Sequence, residues 1–212
     1  MRIMCLAVGR LETNCYLVRG EDAAEGLIVD PGGEPDRIVR ACREEGLEPL
    51  YIVNTHAHPD HTGADGEVKE AFPQAELCIG ANDMELHALA SGSPSFMVGA
   101  EAGPPEPDVL LEDGQELRAG GCALRVIETP GHSPGSICLL VEDEDPPIVF
   151  CGDLIFEGDV GRTDLPGGST EELKRSIEER IFTLPDETIL LPGHEGATTV
   201  GAEKRRGVVS AL

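Results

Sequence analysis

The sequence predicts an α/β fold of layered sheets and helices, and three observations carry that prediction. Short apolar runs alternate with helix-like segments through the first 90 residues. Beyond residue 107, four strand-like runs follow one another with only turn residues between them, as in an antiparallel meander. Several of these runs end on histidine or aspartate, as expected when strand ends converge on one edge of a layered fold. Residues 1–212 read as one domain, because the length is ample for a hydrophobic core and no downstream stretch restarts the pattern.

The elements follow in order. "RIMCLAV", "NCYLVRG" and "GLIVD" read as strands, with the acidic turn "EDAAE" before the third. "GLIVD" ends in Asp30-Pro31-Gly32-Gly33, a turn in which glycine allows close backbone approach. A helix then starts with Pro35 in its first turn, places Ile38, Val39 and Cys42 on one stripe and ends at Gly46. "PLYIVN" is a strand, "GADGEVKEAFP" a modest helix, "AELCIG" a strand and "NDMELHAL" a short helix. Residues 90–107 lack periodicity and read as a long surface loop, with Phe96 and Met97 as its sizeable apolar anchors. "DVLLEDGQEL", "CALRVIETP", "SICLLVED" and "PIVFCGD" form the meander. "STEELKRSIEERIF" is the clearest helix: Ser169 and Glu172 make a capping box, and Leu173, Ile177 and Ile181 repeat every four residues. "ETILLPG" is the last strand, and the tail after residue 203 reads as short and polar.

Charge excludes whole classes of partner. With 40 acidic residues against 16 basic ones, the net charge of −24 repels nucleic acid and anionic membrane. Lys204-Arg205-Arg206 reads as solvated surface. An anionic substrate must then be drawn by local positive charge, which bound metal ions supply. No apolar run is long enough to span a bilayer, and "MRIMCLAVGRLETNCYLV" has no signal-peptide pattern, so a cytoplasmic location is expected. The seven cysteines are scattered without a CxxC pair, as expected of buried, reduced thiols.

The chemistry is concentrated in Thr55-His56-Ala57-His58-Pro59-Asp60-His61-Thr62-Gly63, where a strand gives way to a turn. His56 and His58, at i and i+2 in extended geometry, point to the same side and can grip one cation; Asp60 and His61, past Pro59, are aimed elsewhere. Dense neutral imidazoles beside a carboxylate are how proteins hold Zn²⁺, Fe²⁺ or Mn²⁺. "TPGHSPGS" places His132 after a strand, "IVFCGD" ends on Asp153, and "ILLPGHEG" delivers His194. Five of the six histidines fall in such turns; the sixth, His87, reads as a surface or packing residue. Cys151 reads as packing, although alternation lets it share a face with Asp153.

THAHPDHTG resembles the T-H-x-H-x-D-H signature of the metallo-β-lactamase superfamily, and the later P-G-H, G-D and P-G-H match its remaining ligands in order. The resemblance covers nearly the whole chain. It implies a four-layer αβ/βα sandwich with two divalent metals at one edge between two sheets, zinc first, with iron or manganese as alternatives. By matching positions, His56, His58 and His132 would hold the first metal, and Asp60, His61 and His194 the second, with Asp153 bridging. Two cations about 3.5–4 Å apart need a shared anionic ligand, and the water they activate, with a pKa near 7, attacks as hydroxide without a protein base.

"VGRTDLPGGS", "FTLPDETILLPGH" and "GATTVGAEK" look like the short bacterial branch of the glyoxalase II type. That likeness implies a hydrolase of acyl-thioesters such as S-lactoylglutathione, with Asp60 supporting the nucleophile and Arg162 where glutathione-using relatives place a basic residue. The chain departs from the longer enzymes in having Asp164 where they have an aromatic contact, and in lacking their C-terminal helical region. The GRTD loop is therefore read two ways: Arg162 and Asp164 contact substrate, or they pair to hold a turn. The rival activity is a persulfide dioxygenase of the same fold with one iron; Pro192-Gly193-His194 argues for the hydrolase. A metal-stabilised binding protein without activity is the remaining class. A β-lactamase is disfavoured by Asp at the bridging position.

Overall fold

A computed structural model describes residues 1–90 and 103–211. The first part of the chain builds a six-stranded sheet from β1 (Arg2–Val8), β2 (Thr13–Arg19), β3 (Glu25–Val29), β4 (Glu48–Asn54), β5 (Glu76–Gly80) and β6 (Val109–Leu111), in sequence order. β1, β2 and β3 pair antiparallel, and β3 to β6 run parallel. The crossovers carry α1 (Pro35–Glu45), the short α2 (Pro59–Thr62), α3 (Asp65–Ala71) and α4 (Met84–Ala90). The second sheet has the order β14-β13-β10-β9-β8-β7, from β7 (Glu116–Ala119), β8 (Cys122–Glu128), β9 (Ile137–Val141), β10 (Ile148–Gly152), β13 (Ile189–Pro192) and β14 (Thr198–Thr199). A small hairpin, β11 (Ile155–Phe156) and β12 (Asp159–Val160), follows Asp153. α5 (Thr170–Ser176) and α6 (Val200–Arg206) flank the second sheet.

Period-2 alternation sorts the apolar side chains into four layers. In β2, Tyr16 and Val18 face the second sheet, while Cys15 and Leu17 face the helices. In β10, Phe150 faces the first sheet, while Val149 and Cys151 face α5 and α6. Tyr16 meets Phe150 edge to face across the middle, with centroids 5.2 Å apart. Ile38 and Cys42 of α1 cover the first sheet, and Leu173 of α5 and Val200 of α6 cover the second. Ser169 caps α5 by accepting from Glu172 N at 3.3 Å, a contact whose loss costs about 1 kcal/mol in typical helices.

The structure departs from the sequence reading in four places. Residues 108–117 are not one strand of a meander: β6 joins the first sheet and β7 starts the second, so the turn between them is where the chain changes layer. The helix that starts at Thr170 keeps α-geometry to Ser176 and widens into a π-turn over Ile177–Ile181. The tail is not a polar remnant, because Val208 and Val209 are buried beneath the second sheet's helices. Cys5 is exposed, unlike the other six free thiols. Residues 91–102 of the expected long loop, with Phe96 and Met97, lie outside the described residues. No described helix is long and apolar enough to cross a membrane.

Candidate metal centre

The ends of β4, β8, β10 and β13 converge, and they bring all seven expected ligands together. Three groupings have donor atoms within 4.8 Å of one another: His56, His58 and His132; His56, His61 and Asp153; and Asp60, His61 and His194. His132 Nε2 lies 2.8 Å from His58 Nδ1 and 3.2 Å from His56 Nε2. Asp153 faces both sides: Oδ1 is 3.4 Å from His61 Nε2, and Oδ2 is 3.6 Å from both His132 Nε2 and His194 Nε2. Gly193 makes room for this carboxylate, since a Cβ there would stand 2.3 Å from Asp153 Oδ1.

On His56, His132 and His194 the other ring nitrogen is tied to the scaffold, which decides where the lone pair points. His132 Nδ1 donates to the Arg162 carbonyl at 2.8 Å, and His194 Nδ1 to the Leu11 carbonyl at 3.0 Å. Thr55 Oγ1 donates to Asp30 Oδ2 at 2.8 Å, so His56 Nδ1, 3.2 Å from the same hydroxyl, is the donor to it. The Nε2 lone pairs of His132 and His56 thus face each other at 3.2 Å, a repulsive arrangement unless a cation sits between them, and His58 Nδ1 converges on the same point. His61 Nε2 and Asp153 Oδ1 are buried without a hydrogen bond among the described residues. Buried polar atoms left this way mark a missing partner, and a divalent cation fits the donor set.

A cavity of about 530 Å³ opens over this cluster. His58, Asp60, His132, Asp153 and His194 form its floor, with Leu11, Leu86, Leu165 and Pro166 as an apolar wall and Arg162 at the side. Arg162 does not reach out alone: Nε and Nη2 donate to Asp164 Oδ1 and Oδ2 at 2.7 and 2.9 Å, in an exposed bidentate pair. Asp164 itself is not part of the cavity lining. Cys151 is buried among the helix-facing residues, with its thiol bonded to the Ile155 carbonyl at 3.5 Å. His87 is buried in α4, in agreement with a packing role.

A sequence profile of the metallo-beta-lactamase superfamily matches residues 8–194. The chain belongs to the metallo-beta-lactamase superfamily. It is 42% identical over 200 residues to the probable metallo-hydrolase YqgX of Bacillus subtilis, covering 94% of this chain and 92% of that one. Hydroxyacylglutathione hydrolase GloC of Haemophilus influenzae is 33% identical over 214 residues, with 97% and 96% covered. Human mitochondrial persulfide dioxygenase ETHE1 is 32% identical over 197 residues, covering 92% of this chain and 69% of that one. Among solved structures, the di-iron-bound form of TTHA1623 superposes with a TM-score of 0.84 at 36% identity, with 96% and 98% covered. The BLEG-1 B3 metallo-beta-lactamase gives 0.85 at 32%, with 96% and 97% covered. These relatives carry the names of different activities, so likeness fixes the superfamily and its metal-dependent chemistry, and not the substrate.

In the metallo-beta-lactamase fold, which binds divalent metals, the electrostatics of the cluster acquire a purpose. Burial, then the neighbouring imidazoles, lowers the proton affinity of His56. Burial, then His132, takes His58 down to about 4. Both rings are therefore neutral donors at pH 7. Burial works to raise Asp60, but the hydrogen bond from His194 and the charge of His61 outweigh it and hold the carboxyl below its usual range. At His61, burial is overcome by the charges of Asp30 and Asp153, and the proton is held more tightly than usual.

Sequence reasoning missed the residues behind the ligands. Asp30, read as part of a turn, has φ of 52°, a left-handed conformation Asp tolerates, and is buried. It accepts from Thr55 N at 2.7 Å and lies 3.0 Å from His61 Nδ1, so it orients both histidine sets. Asn14 Nδ2 and Tyr16 Oη donate to the Pro192 carbonyl at 3.0 and 2.7 Å and fix the His194 turn. An Asp that ends a buried strand was the available signal for Asp30; for Asn14 and Tyr16, which act from β2 on a distant loop, there was none.

Proposed function

We propose that the protein is a dinuclear metal-dependent hydrolase of acyl-thioesters of the S-lactoylglutathione type, with zinc as the first-choice metal and iron or manganese able to replace it. The observation that carries this reading is Asp153, which stands between the two sets: Oδ2 lies 3.6 Å from both His132 of the trio and His194 of the other set, and Oδ1 lies 3.4 Å from His61. A monodentate surface acid would not need two buried faces; a carboxylate shared by two cations does. When bound, such cations render water nucleophilic near neutral pH and polarise a carbonyl.

The chain's own residues do the rest. His56 and His132 present lone pairs fixed by Thr55 and Arg162, and His58 Nδ1 converges on them. Asp60 and His194, 3.2 Å apart, would hold the second position and stay oriented through Leu11. Leu11, Leu86, Leu165 and Pro166 exclude water from the acyl group and fit a small substituent. A thiolate, with a thiol pKa of about 8.5, leaves without a proton donor from the cavity.

A second reading, a persulfide dioxygenase working with one iron, is supported by the likeness to human ETHE1. One experiment separates the two. Protein loaded with Zn²⁺ or Fe²⁺ is analysed for metal per chain and assayed for thiol release from S-lactoylglutathione and for oxygen uptake with glutathione persulfide. Close to two ions and thioester turnover are expected. Inert thioesters, with oxygen uptake at one iron per chain, would replace the hydrolase by the dioxygenase.

A further inference from the structure

A buried carboxylate outside the ligand set joins the two loops that carry the nitrogen trio. Asp83, at the end of the 3-10 turn Ala81–Asp83 that leads into α4, is fully buried. Its Oδ2 accepts from Ala57 N at 2.8 Å and from Ser133 Oγ at 2.7 Å, and its Oδ1 accepts from Gly135 N at 2.6 Å. Ala57 stands between His56 and His58 on the loop after β4, and Ser133 follows His132 on the loop after β8. The three hydrogen bonds therefore span from one sheet's ligand loop to the other's. The approach leaves no slack: a Cβ on Gly135 would stand 2.2 Å from Asp83 N, and one on Gly80 would stand 2.1 Å from the Gly135 carbonyl.

We propose that Asp83 is a positioning residue that sets the spacing between His56/His58 and His132, and through it the affinity and geometry of the first metal position. This rests on reading the trio as a cation site. The distance it governs is the 2.8–3.2 Å convergence of His132 Nε2 on its two partners; β4 and β8 lie in different sheets, Ile137 N donates to the Thr55 carbonyl at 2.8 Å beside the two turns, and Asp83 adds the bonds within them. The second position is held by other groups, His61 by Asp30 and His194 by Leu11, so the influence of Asp83 is confined to the first. Because Leu86 lies three residues beyond Asp83 on α4, the same clamp also seats part of the cavity wall over the trio.

The test uses metal-free wild-type protein, Asp83→Asn, Ser133→Ala and, as a control, Glu203→Gln. Glu203 is equally buried and joins Gly158 N to Thr198 and Arg206, away from the two loops that carry the trio. Each is titrated with Co²⁺, read by its visible spectrum, and with Zn²⁺ against a chelator, and the Tm of each metal-free form is recorded. Asp83→Asn is expected to weaken the first equivalent by about 10–100-fold and to alter the first Co²⁺ spectrum, the range for partners behind a ligand. Ser133→Ala should weaken it by about 3–10-fold, as for one lost hydrogen bond. Glu203→Gln should lower Tm and leave affinity and spectrum alone, which separates positioning from general stability. Wild-type affinity and spectrum in Asp83→Asn, whatever its Tm, overturns the proposal. If Asp83→Asn does not fold, an unchanged first equivalent in Ser133→Ala overturns it instead. A wild type that takes up no cation overturns this inference together with the proposed function, whereas uptake with no difference among the variants overturns this inference alone.

Discussion

The two donor sets meet at Asp153 but are built differently. His56, His58 and His132 are all imidazoles, 1%, 8% and 3% exposed, with the rings of His56 and His132 bonded to Thr55 and Arg162 and their two loops joined by Asp83. Asp60 and His194 are 17% and 21% exposed at their side chains and border the cavity, with only His61 fully enclosed. The difference teaches that the trio is the more enclosed donor set and the set of Asp60 and His194 the more open one. On the proposed reading, a cation held by Asp60 and His194 would exchange more readily than one held by the trio, although His58 and His132 also line the cavity.

The severest way to break that comparison is to remove what the sets share. Asp153→Asn keeps the volume and takes away the negative charge that two cations would divide. We expect kcat to fall by about 10³-fold or more, in the range for losing a central electrostatic stabiliser, with the protein retaining one ion at most. Two tightly held ions in that variant, counted by elemental analysis, would remove Asp153 from the shared role.

A milder break is His194→Ala, which should cost the second ion at least about 100-fold in affinity while the first stays within about threefold. Asp60→Ala should leave the circular dichroism unchanged and reduce kcat by about 10²-fold or more. Near-normal turnover in Asp60→Ala would return that residue to a bystander.

The trio and its neighbours were legible because each ligand follows a buried strand, and a strand end is a position that sequence pattern can locate. His56, His58, His132, Asp153 and His194 all have an apolar run immediately upstream. The layering was legible for the same reason, through alternation in runs such as "NCYLVRG". The switch between β6 and β7 was not, since "LEDGQ" has the chemistry of a local hairpin and only tertiary packing sends its two sides to different sheets. Val208 and Val209 were hidden behind Lys204-Arg205-Arg206, where Lys204 pairs with Asp186 and Arg206 with the exposed Glu157 and the buried Glu203 while the valines turn inward. Asp83 was hidden inside "NDMELHAL", read as an ordinary short helix, where nothing local marks a carboxylate as buried. Its three partners lie 26, 50 and 52 residues away.

Acidity should separate the sets without any mutation. In the metal-free protein His61 and His194 hold protons more tightly than an ordinary histidine: at both, burial is outweighed by nearby carboxylates. His56 is lowered, and His58 lies at about 4. A proton competes with a cation at a raised site first, so affinity there is retained at high pH and lost as pH falls. Dialysis at steps from about pH 8 to about pH 5 should empty the second position before the first. Loss from the trio first, resolved by the Co²⁺ spectrum, would invert the comparison.

The smallest effects are expected at Arg162, where the comparison passes from metal to substrate. Its guanidinium is engaged by both oxygens of Asp164, and both side chains are mostly exposed, at 62% and 69%. An exposed pair of this kind adds little stability, so Arg162→Ala should leave Tm within the repeatability of a scan. The carbonyl that orients His132 is main-chain and survives the substitution, so kcat should hold. KM for a glutathione thioester should rise by about threefold or less, because Asp164 already occupies the fork that a carrier carboxylate would use. Asp164→Ala is the sharper variant. It frees the guanidinium and should lower KM for glutathione thioesters at unchanged kcat, while thioesters of uncharged thiols keep their KM in both variants. A fall in kcat for Arg162→Ala, with KM unmoved, would mean that the side chain acts on the transition state and belongs with the metal side of the molecule after all.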